Sequence, residues 1–135
     1  MSDTEQQPQY GFRRVLEDAT FEQACERITE ALAEEGFGIL TTIDVEATLK
    51  KKLDVDTGAY TILGACSPKM AHQALELERS IGLLLPCNVV VYERDDQIVL
   101  EVIDPHAMFE VVDNPNIGAV ADEVAEQLER ALASA

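Results

Sequence analysis

The sequence predicts a two-layer α+β sandwich in which helices pack on one face of a sheet. Two observations predict this class. Segments with apolar residues at helical spacing alternate with short β-branched runs, in the order β-α-β-α-β-α-β-β-α. No linker or internal repeat divides the 135 residues, a length that suits one domain with its own core. We therefore expect residues 1–9 to form a flexible tail and residues 10–135 to form a single α+β domain.

Five segments are predicted to be strands because β-branched and other apolar residues dominate them and turn-forming residues bound them. In chain order, these segments are 10–17, 37–43, 60–65, 88–93 and 97–103. The last two strands are joined by Arg94-Asp95-Asp96, a turn signal that predicts a hairpin.

The helices between these strands are indicated by capping residues. Thr20 precedes the first helix, with Gln23 completing a capping box, and Asp44 precedes the second. Ser67 followed by Pro68 predicts the start of the third helix, and Asn114-Pro115 predicts the start of the last. The last helix carries a continuous apolar stripe, formed by Ile117, Val120, Ala121, Val124, Leu128 and Leu132.

Charge is the strongest compositional signal, since 26 acidic residues against 10 basic ones give a formal net charge of -16. Such a surface repels nucleic acid and anionic lipid. An apolar fraction of 47% with clear periodicity is not typical of disorder. An acidic coat on an ordinary core is typical of proteins that work in concentrated salt, so we expect a halophilic protein. The local exception is the basic run Lys50-Lys51-Lys52.

Targeting and membrane signals are missing from the sequence. No apolar run approaches the ~18 residues that a membrane-spanning helix needs. Residues 1–9 lack the basic start and the hydrophobic region of a signal peptide. We therefore expect a cytoplasmic protein with reduced thiols that binds neither membrane nor nucleic acid.

Two cysteines occupy the ends of predicted elements. Cys66 lies between a strand and the helix start at Ser67-Pro68, and Cys87 follows Pro86 and opens a β-branched run. We expect their α-carbons to lie within about 10 Å, so that they line one pocket, although not necessarily within the ~7 Å limit for a disulfide. The adjacent helix start predicts a lowered pKa for Cys66 if it is partly exposed. Cys25 falls on the apolar face of the first helix and is predicted to be a core residue.

These positions suggest a ligand-binding or thiol site. Its candidate residues are Cys66, Ser67, Cys87, Asn88 and Asp104, a small molecule being the expected ligand. The alternative is a structural or protein-interaction module whose cysteines only fill space, since free cysteine is among the most buried residue types. The sequence has no Cys-x-x-Cys, Gly-x-Ser-x-Gly or phosphate-binding motif, so whether the protein is an enzyme stays open and no cofactor is expected.

A soft-metal site is a third hypothesis. Cys66 and Cys87 together with His106 and Met108 would suit Cu(I). Zn(II) would fit instead if an oxygen of Asp104 replaced the thioether. No spacing among these residues is diagnostic of a metal site. His106 is also expected in a loop, or in one turn of helix over 106–109, and Met108 in the core.

Short motifs distributed from about Gly11 to Leu132 carry a family resemblance. They are Gly36-Phe37-Gly38, Thr42-Ile43-Asp44, Leu63-Gly64-Ala65-Cys66 with Pro68 and Ala71, the run from Gly82 to Glu93, and Asp104-Pro105. Together they resemble the family known as domain of unknown function 302, and Leu85-Pro86-Cys87-Asn88 is the most specific part. The resemblance implies a small α+β fold with a curved sheet, often a homodimer, and no established activity. The family commonly has asparagine after its first cysteine, where Ser67 stands here.

Overall fold

The computed structural model describes residues 7–135 and confirms the predicted α+β class. Residues 1–6, which make up most of the predicted tail, lie outside the described residues. The elements are β1 (Gly11–Leu16), α1 (Phe21–Glu34), β2 (Gly38–Asp44), α2 (Val45–Leu53), β3 (Tyr60–Cys66), α3 (Pro68–Leu77), a 3₁₀ helix (Arg79–Leu84), β4 (Cys87–Arg94), β5 (Gln97–Ile103), α4 (Pro105–Phe109) and α5 (Ile117–Ser134). The predicted order of strands and helices therefore holds, with the 3₁₀ helix and the short helix α4 as additions.

The strands form one antiparallel sheet in the order β1-β5-β4-β3-β2. The β4–β5 hairpin turns through Asp95 and Asp96, whose φ angles of 50° and 66° are those of the two-residue turns that match strand twist. The N-terminal strand β1 pairs with β5, the last strand in the chain. This pairing brings residues almost 90 positions apart into direct register, as for Arg13 and Glu101.

One face of the sheet carries the core. Side chains alternate along each strand, and the inward set packs against buried residues of α1, α3 and α5. The inward set is Leu63, Ala65, Cys87, Val89, Val91, Ile98, Leu100 and Val102. The opposite set stands outside this core cluster. We call it the open face and define it by Arg13, Tyr60, Asn88, Val90, Tyr92 and Glu101.

The longest helix, α5, confirms the predicted apolar stripe, all six members of which are buried. It begins at Ile117, two residues later than the Asn114-Pro115 signal, because Asn114 Oδ1 accepts a hydrogen bond from the Asn116 N–H at 2.9 Å and holds a turn there. Acidic residues such as Asp122 and Glu123 fill the other face of the helix. Within residues 7–135, no helix combines the length and the apolar character that crossing a bilayer requires.

The caps follow the sequence signals with one exception. Thr20 and Gln23 form the predicted capping box, and Asp44 Oδ1 accepts a hydrogen bond from the Ala47 N–H at 2.9 Å. Ser67 occupies the N-cap of α3, but its hydroxyl makes no capping hydrogen bond, contrary to the prediction. Only its carbonyl joins the helix, accepting from the Ala71 N–H at 2.8 Å.

The segment from β2 to the start of β3 is the least buried part of the fold. β2 is an edge strand with mostly exposed side chains, and α2 buries none of its residues. Four large apolar side chains in this segment are exposed, and we call them the β2–α2 patch: Leu40, Ile43, Leu53 and Val55. The run Lys50-Lys51-Lys52 lies in the last turn of α2, where positive charges interact favourably with the helix dipole.

Candidate functional site

The two predicted site cysteines lie together at the junction of β3 and β4. Cys66 is the last residue of β3 and Cys87 the first of β4. Cys87 is paired with Ala65, so Cys66 is one position out of register and its α-carbon lies roughly 6 Å from that of Cys87. The sequence predicts that the two cysteines line one pocket. Both of them line the same small cavity beneath α3, α4 and α5.

The cysteine cavity is small and apolar. Its volume is about 20 Å³. Other residues of its wall include Phe37, Met70, Leu85, Phe109 and Val120. A single water molecule needs roughly 10–15 Å³ by the same measure, so the cavity admits little more than one water-sized group. An organic ligand does not fit between the two thiols without a rearrangement of the core.

Burial opposes ionisation of every thiol in the protein. It raises the pKa of Cys66, and it raises the pKa of Cys87 to about 12, with Cys66 as the smaller cause. The pKa of Cys25 is raised by burial and then by Glu22 and Glu26. The expected lowering of the Cys66 pKa by the helix start is therefore wrong, because desolvation by the apolar wall dominates. All three cysteines are free thiols, and protonated thiols are poor nucleophiles.

The other predicted site residues do not all join this cavity. Ser67 lines it, but Asn88 lies on the open face because it alternates with Cys87 along β4. Asp104 is not in the cavity wall, contrary to the prediction of a shared pocket. It caps α4 instead, where its Oδ1 accepts a hydrogen bond from the His106 N–H at 2.9 Å.

The predicted soft-metal set is not assembled either. The ring of His106 lies between two carboxylates, with Nδ1 3.0 Å from Asp104 Oδ1 and Nε2 2.6 Å from Asp122 Oδ1. Met108 packs against the core. Among residues 7–135, no group of three or more His, Cys, Asp and Glu side chains is arranged to hold a metal ion. Asp104 instead caps the start of α4, and the contact between His106 and Asp122 links α4 to α5.

A larger depression, which the sequence did not indicate, lies on the open face. This groove has a volume of about 290 Å³. Its lining includes Tyr10, Arg13, Tyr60, Asn88, Val90, Glu101 and Ile103. The groove crosses β1, β5, β4 and β3, so its residues come from segments that lie far apart in the chain. Only Asn88 belongs to the predicted set of site residues.

A half-buried ion pair forms the floor of the groove. Arg13 Nη2 lies 2.8 Å from Glu101 Oε2, and Arg13 Nε donates to the same oxygen at 2.9 Å. Arg13 Nη2 also donates to the hydroxyl of Tyr92 at 3.4 Å. The side chains of Arg13 and Glu101 are only 8% and 16% exposed, although they lie on the open face of the sheet. Charges held this far from water are costly unless they are paired, which fixes their positions relative to each other.

All three tyrosines of the chain gather at this place. The rings of Tyr60 and Tyr92 are nearly parallel, with centroids 5.2 Å apart, and Tyr10 lies at the rim with 64% of its surface exposed. Burial raises the pKa of Tyr60, and Glu101 and then Tyr10 raise it further. Burial and then Glu101 also raise the pKa of Tyr92. The groove thus combines aromatic surface with hydroxyl groups beside a carboxylate.

Comparison with known proteins identifies the family but no activity. Residues 12–135 match the sequence profile of a family described as Domain of unknown function DUF302. No curated protein matches the chain.

A solved structure matches the fold closely. It is the crystal structure of an uncharacterised conserved DUF302 protein from Bacillus stearothermophilus. The match has a TM-score of 0.87 and 24% sequence identity, and it covers 94% of this chain and 98% of that one. At this identity the likeness shows a common fold and carries no information about ligands.

Proposed function

The chain belongs to the DUF302 family, whose description assigns no activity, and from that premise we propose that it is a binding protein for a small organic molecule. The ligand lies in the groove of the open face rather than between the cysteines. The observation that carries this proposal is the groove itself, about 290 Å³ in volume, with aromatic and polar side chains converging on it.

The sizes of the two depressions separate the two candidate sites. The cysteine cavity of about 20 Å³ lies far below the roughly 300–1,000 Å³ of small-molecule sites, whereas the groove, at about 290 Å³, comes close to the lower limit of that range. The raised thiol pKa values of Cys66 and Cys87 also favour a packing role over nucleophilic chemistry. The proposal therefore keeps the small-molecule ligand that the sequence suggested and moves it to the other face of the sheet.

The lining of the groove suits a ligand with an apolar body and a polar edge. Val90 and Ile103 provide apolar surface, and the Tyr60 ring stands beside them. The exposed amide of Asn88 can both donate and accept hydrogen bonds. Rigid strands hold all of these groups, so little conformational entropy is lost when a ligand binds.

Binding is tested by NMR with a library of small organic compounds added to the uniformly ¹⁵N-labelled protein. We expect hits to move amide signals of Arg13, Tyr60, Asn88 and Glu101. Val90→Lys places a long side chain in the groove and should abolish binding. Val111→Lys makes the same change at a side chain that is 79% exposed outside the groove, and it should leave binding intact. Hits that move only the signals of Cys66 and Cys87 would overturn the groove assignment.

A second copy of the chain is the partner that suits the β2–α2 patch. The patch is apolar and adjoins an edge strand, the kind of surface that associates with another chain. Lys50-Lys51-Lys52 lies beside it, while the molecule as a whole carries a net charge of -16. The lysines of one copy can therefore contact the acidic surface of the other, which supports homodimer formation.

Sedimentation equilibrium tests this dimer with a matched pair of variants. Leu40→Glu puts a charge into the β2–α2 patch and should give a monomer. Leu83→Glu makes the same change at a residue that is 87% exposed elsewhere, and it should leave the dimer intact. A wild-type protein that sediments as a monomer at all concentrations would contradict the proposed dimer but not the ligand site.

A further inference from the structure

The charge arrangement of the groove defines the chemical class of its ligand. Among the described residues that line it, Arg13 and Glu101 are the groups that are charged at neutral pH. Arg13 directs Nε and Nη2 at Glu101 and is only 8% exposed, whereas the Glu101 side chain is 16% exposed. The carboxylate is therefore the more accessible member of the pair. The Glu101 carboxylate is therefore available to contact a ligand in the groove.

The aromatic side chains of the groove also favour a cationic ligand. The face of a tyrosine ring is the negative part of its quadrupole and attracts a cation. Tyr10 is well exposed at the rim, and Tyr60 stands inside the groove. The field of Glu101 reaches Tyr60, since it contributes, after burial, to raising the pKa of that phenol.

The charge of the whole molecule adds a long-range contribution. A net charge of -16 raises the local concentration of cations and lowers that of anions at the surface. An anionic ligand would have to overcome this field. Arg13, the basic group in the groove, is already engaged by Glu101 and Tyr92.

From these three observations we propose that the groove selects a flat organic cation, such as an aromatic amidine or guanidine, over neutral and anionic molecules of the same shape. This inference rests on the proposed small-molecule function and specifies its ligand class. The planar apolar body lies against Val90 and Ile103 beside the Tyr60 ring. The charged group is placed near Glu101 and against Tyr10.

Three probes of almost identical shape test the selection: benzamidine, benzamide and benzoate, which are cationic, neutral and anionic. Titrations followed by NMR should give tighter binding of benzamidine than of benzamide, by about two- to fivefold for each aromatic or carboxylate contact. Benzoate should not bind at millimolar concentration. The shifted amide signals should belong to the groove residues.

Two pairs of variants identify the groups responsible. Glu101→Gln should remove most of the preference for the cation, whereas Glu46→Gln, an equal charge change on α2, should not. Tyr10→Leu should weaken benzamidine binding by about two- to fivefold, and Tyr10→Phe, which keeps the ring, should retain it. Because Tyr10 is exposed, this second pair does not depend on the stability of the Glu101 variant.

The outcomes separate this inference from the function on which it rests. Benzamide binding in the groove as tightly as benzamidine would overturn the charge selection and leave the binding function standing. Equal losses in Glu46→Gln and Glu101→Gln would also overturn it, because the attraction would then come from net charge alone. If none of the three probes binds, the inference fails, and the compound library decides the wider function independently.

Discussion

Arg13 on β1 and Glu101 on β5 are direct register partners and form an ion pair of 2.8 Å on the open face of the sheet. The pair joins the first and last strands of the chain. The hydroxyl of Tyr92 and the stacked ring of Tyr60 extend it towards the centre of the sheet. The floor of the groove is therefore formed by side-chain contacts between β1, β5 and β4. The ring of Tyr60 on β3 stacks on Tyr92 and extends these contacts to a fourth strand.

The Arg13–Glu101 pair predicts an asymmetric response to mutation. Glu101→Ala removes the carboxylate that pairs with the half-buried Arg13 guanidinium and should lower the free energy of unfolding by about 1–3 kcal/mol. Arg13→Met combined with Glu101→Leu removes both charges and should recover most of this loss. Urea denaturation measures both changes. As a control, Arg130→Ala breaks the more exposed pair with Glu35 and should cost less than about 1 kcal/mol.

Gly64 is predicted to accept no side chain. A Cβ at this position would overlap Thr41 Oγ1 of β2 and lie 2.8 Å from Pro86 Cγ. Gly64→Ala should therefore lower the free energy of unfolding by about 1–3 kcal/mol, the usual range for overpacking. Gly118→Ala is the matched control, since its Cβ would meet nothing within 4 Å and alanine has a higher helix propensity than glycine in the first turn of α5. Equal stability of the two variants, measured by urea denaturation, would contradict the close approach at Gly64.

His106 should make stability depend on pH. Its pKa is raised above 6.5, chiefly by the hydrogen bond to Asp122 and also by Asp104. A raised pKa in the folded state means that the protonated ring stabilises the fold. This contribution is complete below pH 6.5 and is lost as the pH rises through the folded-state pKa. Because His106 is half exposed, we expect less than about 1 kcal/mol.

Thermal melts of wild type and His106→Ala across this pH range measure the effect. The two midpoints should differ most at mildly acidic pH and converge at alkaline pH. His72→Ala, which removes the exposed histidine beside Glu76 on α3, serves as the control. A difference that grows with pH would contradict the predicted sign.

The thiols should react slowly in the native protein. Burial raises the pKa of Cys66 and Cys25, and that of Cys87 to about 12, so little thiolate exists at neutral pH. Alkylation with iodoacetamide, followed by mass spectrometry, should label Cys66 and Cys25 faster as the pH is raised. Cys87 should be labelled only after unfolding. Rapid labelling of Cys66 at neutral pH would show an activated thiolate and revive a thiol function.

Stability should rise with salt. The net charge of -16 produces repulsion that opposes the compact state, and molar salt reduces the screening length to roughly 3 Å. Thermal melts followed by circular dichroism should therefore shift to higher temperature between dilute buffer and molar KCl. Chloride is used because sulfate stabilises proteins by surface exclusion. An unchanged midpoint would indicate an acidic protein without salt adaptation.

The sequence by itself determined the elements of the fold. The capping box of Thr20 and Gln23, the Asp44 cap and the apolar stripe of α5 are local patterns, and each predicted its helix correctly. β-branched runs likewise predicted the five strands, with no strand end shifted by more than one residue. These predictions succeed because periodicity and capping depend on residues within a few positions of one another.

The sequence also predicted that Cys66 and Cys87 lie close together, but it did not predict their pKa values correctly. Cys66 and Cys87 end and begin strands that pair with each other, so their proximity follows from the element boundaries. Their pKa values depend on how deeply α3, α4 and α5 cover them. The helix start beside Cys66 predicted a lower pKa, yet burial, which no local pattern reports, raises it.

The groove was decided by tertiary structure alone. The order β1-β5-β4-β3-β2 brings Arg13 beside Glu101 and places Tyr60 and Tyr92 next to them, although these residues are distant in the chain. The one local signal was strand alternation, which puts charged and tyrosine residues opposite the apolar ones. Alternation assigns a side chain to a face of the sheet but does not order the strands. That order comes from the packing of the whole core, and it determines which polar residues meet.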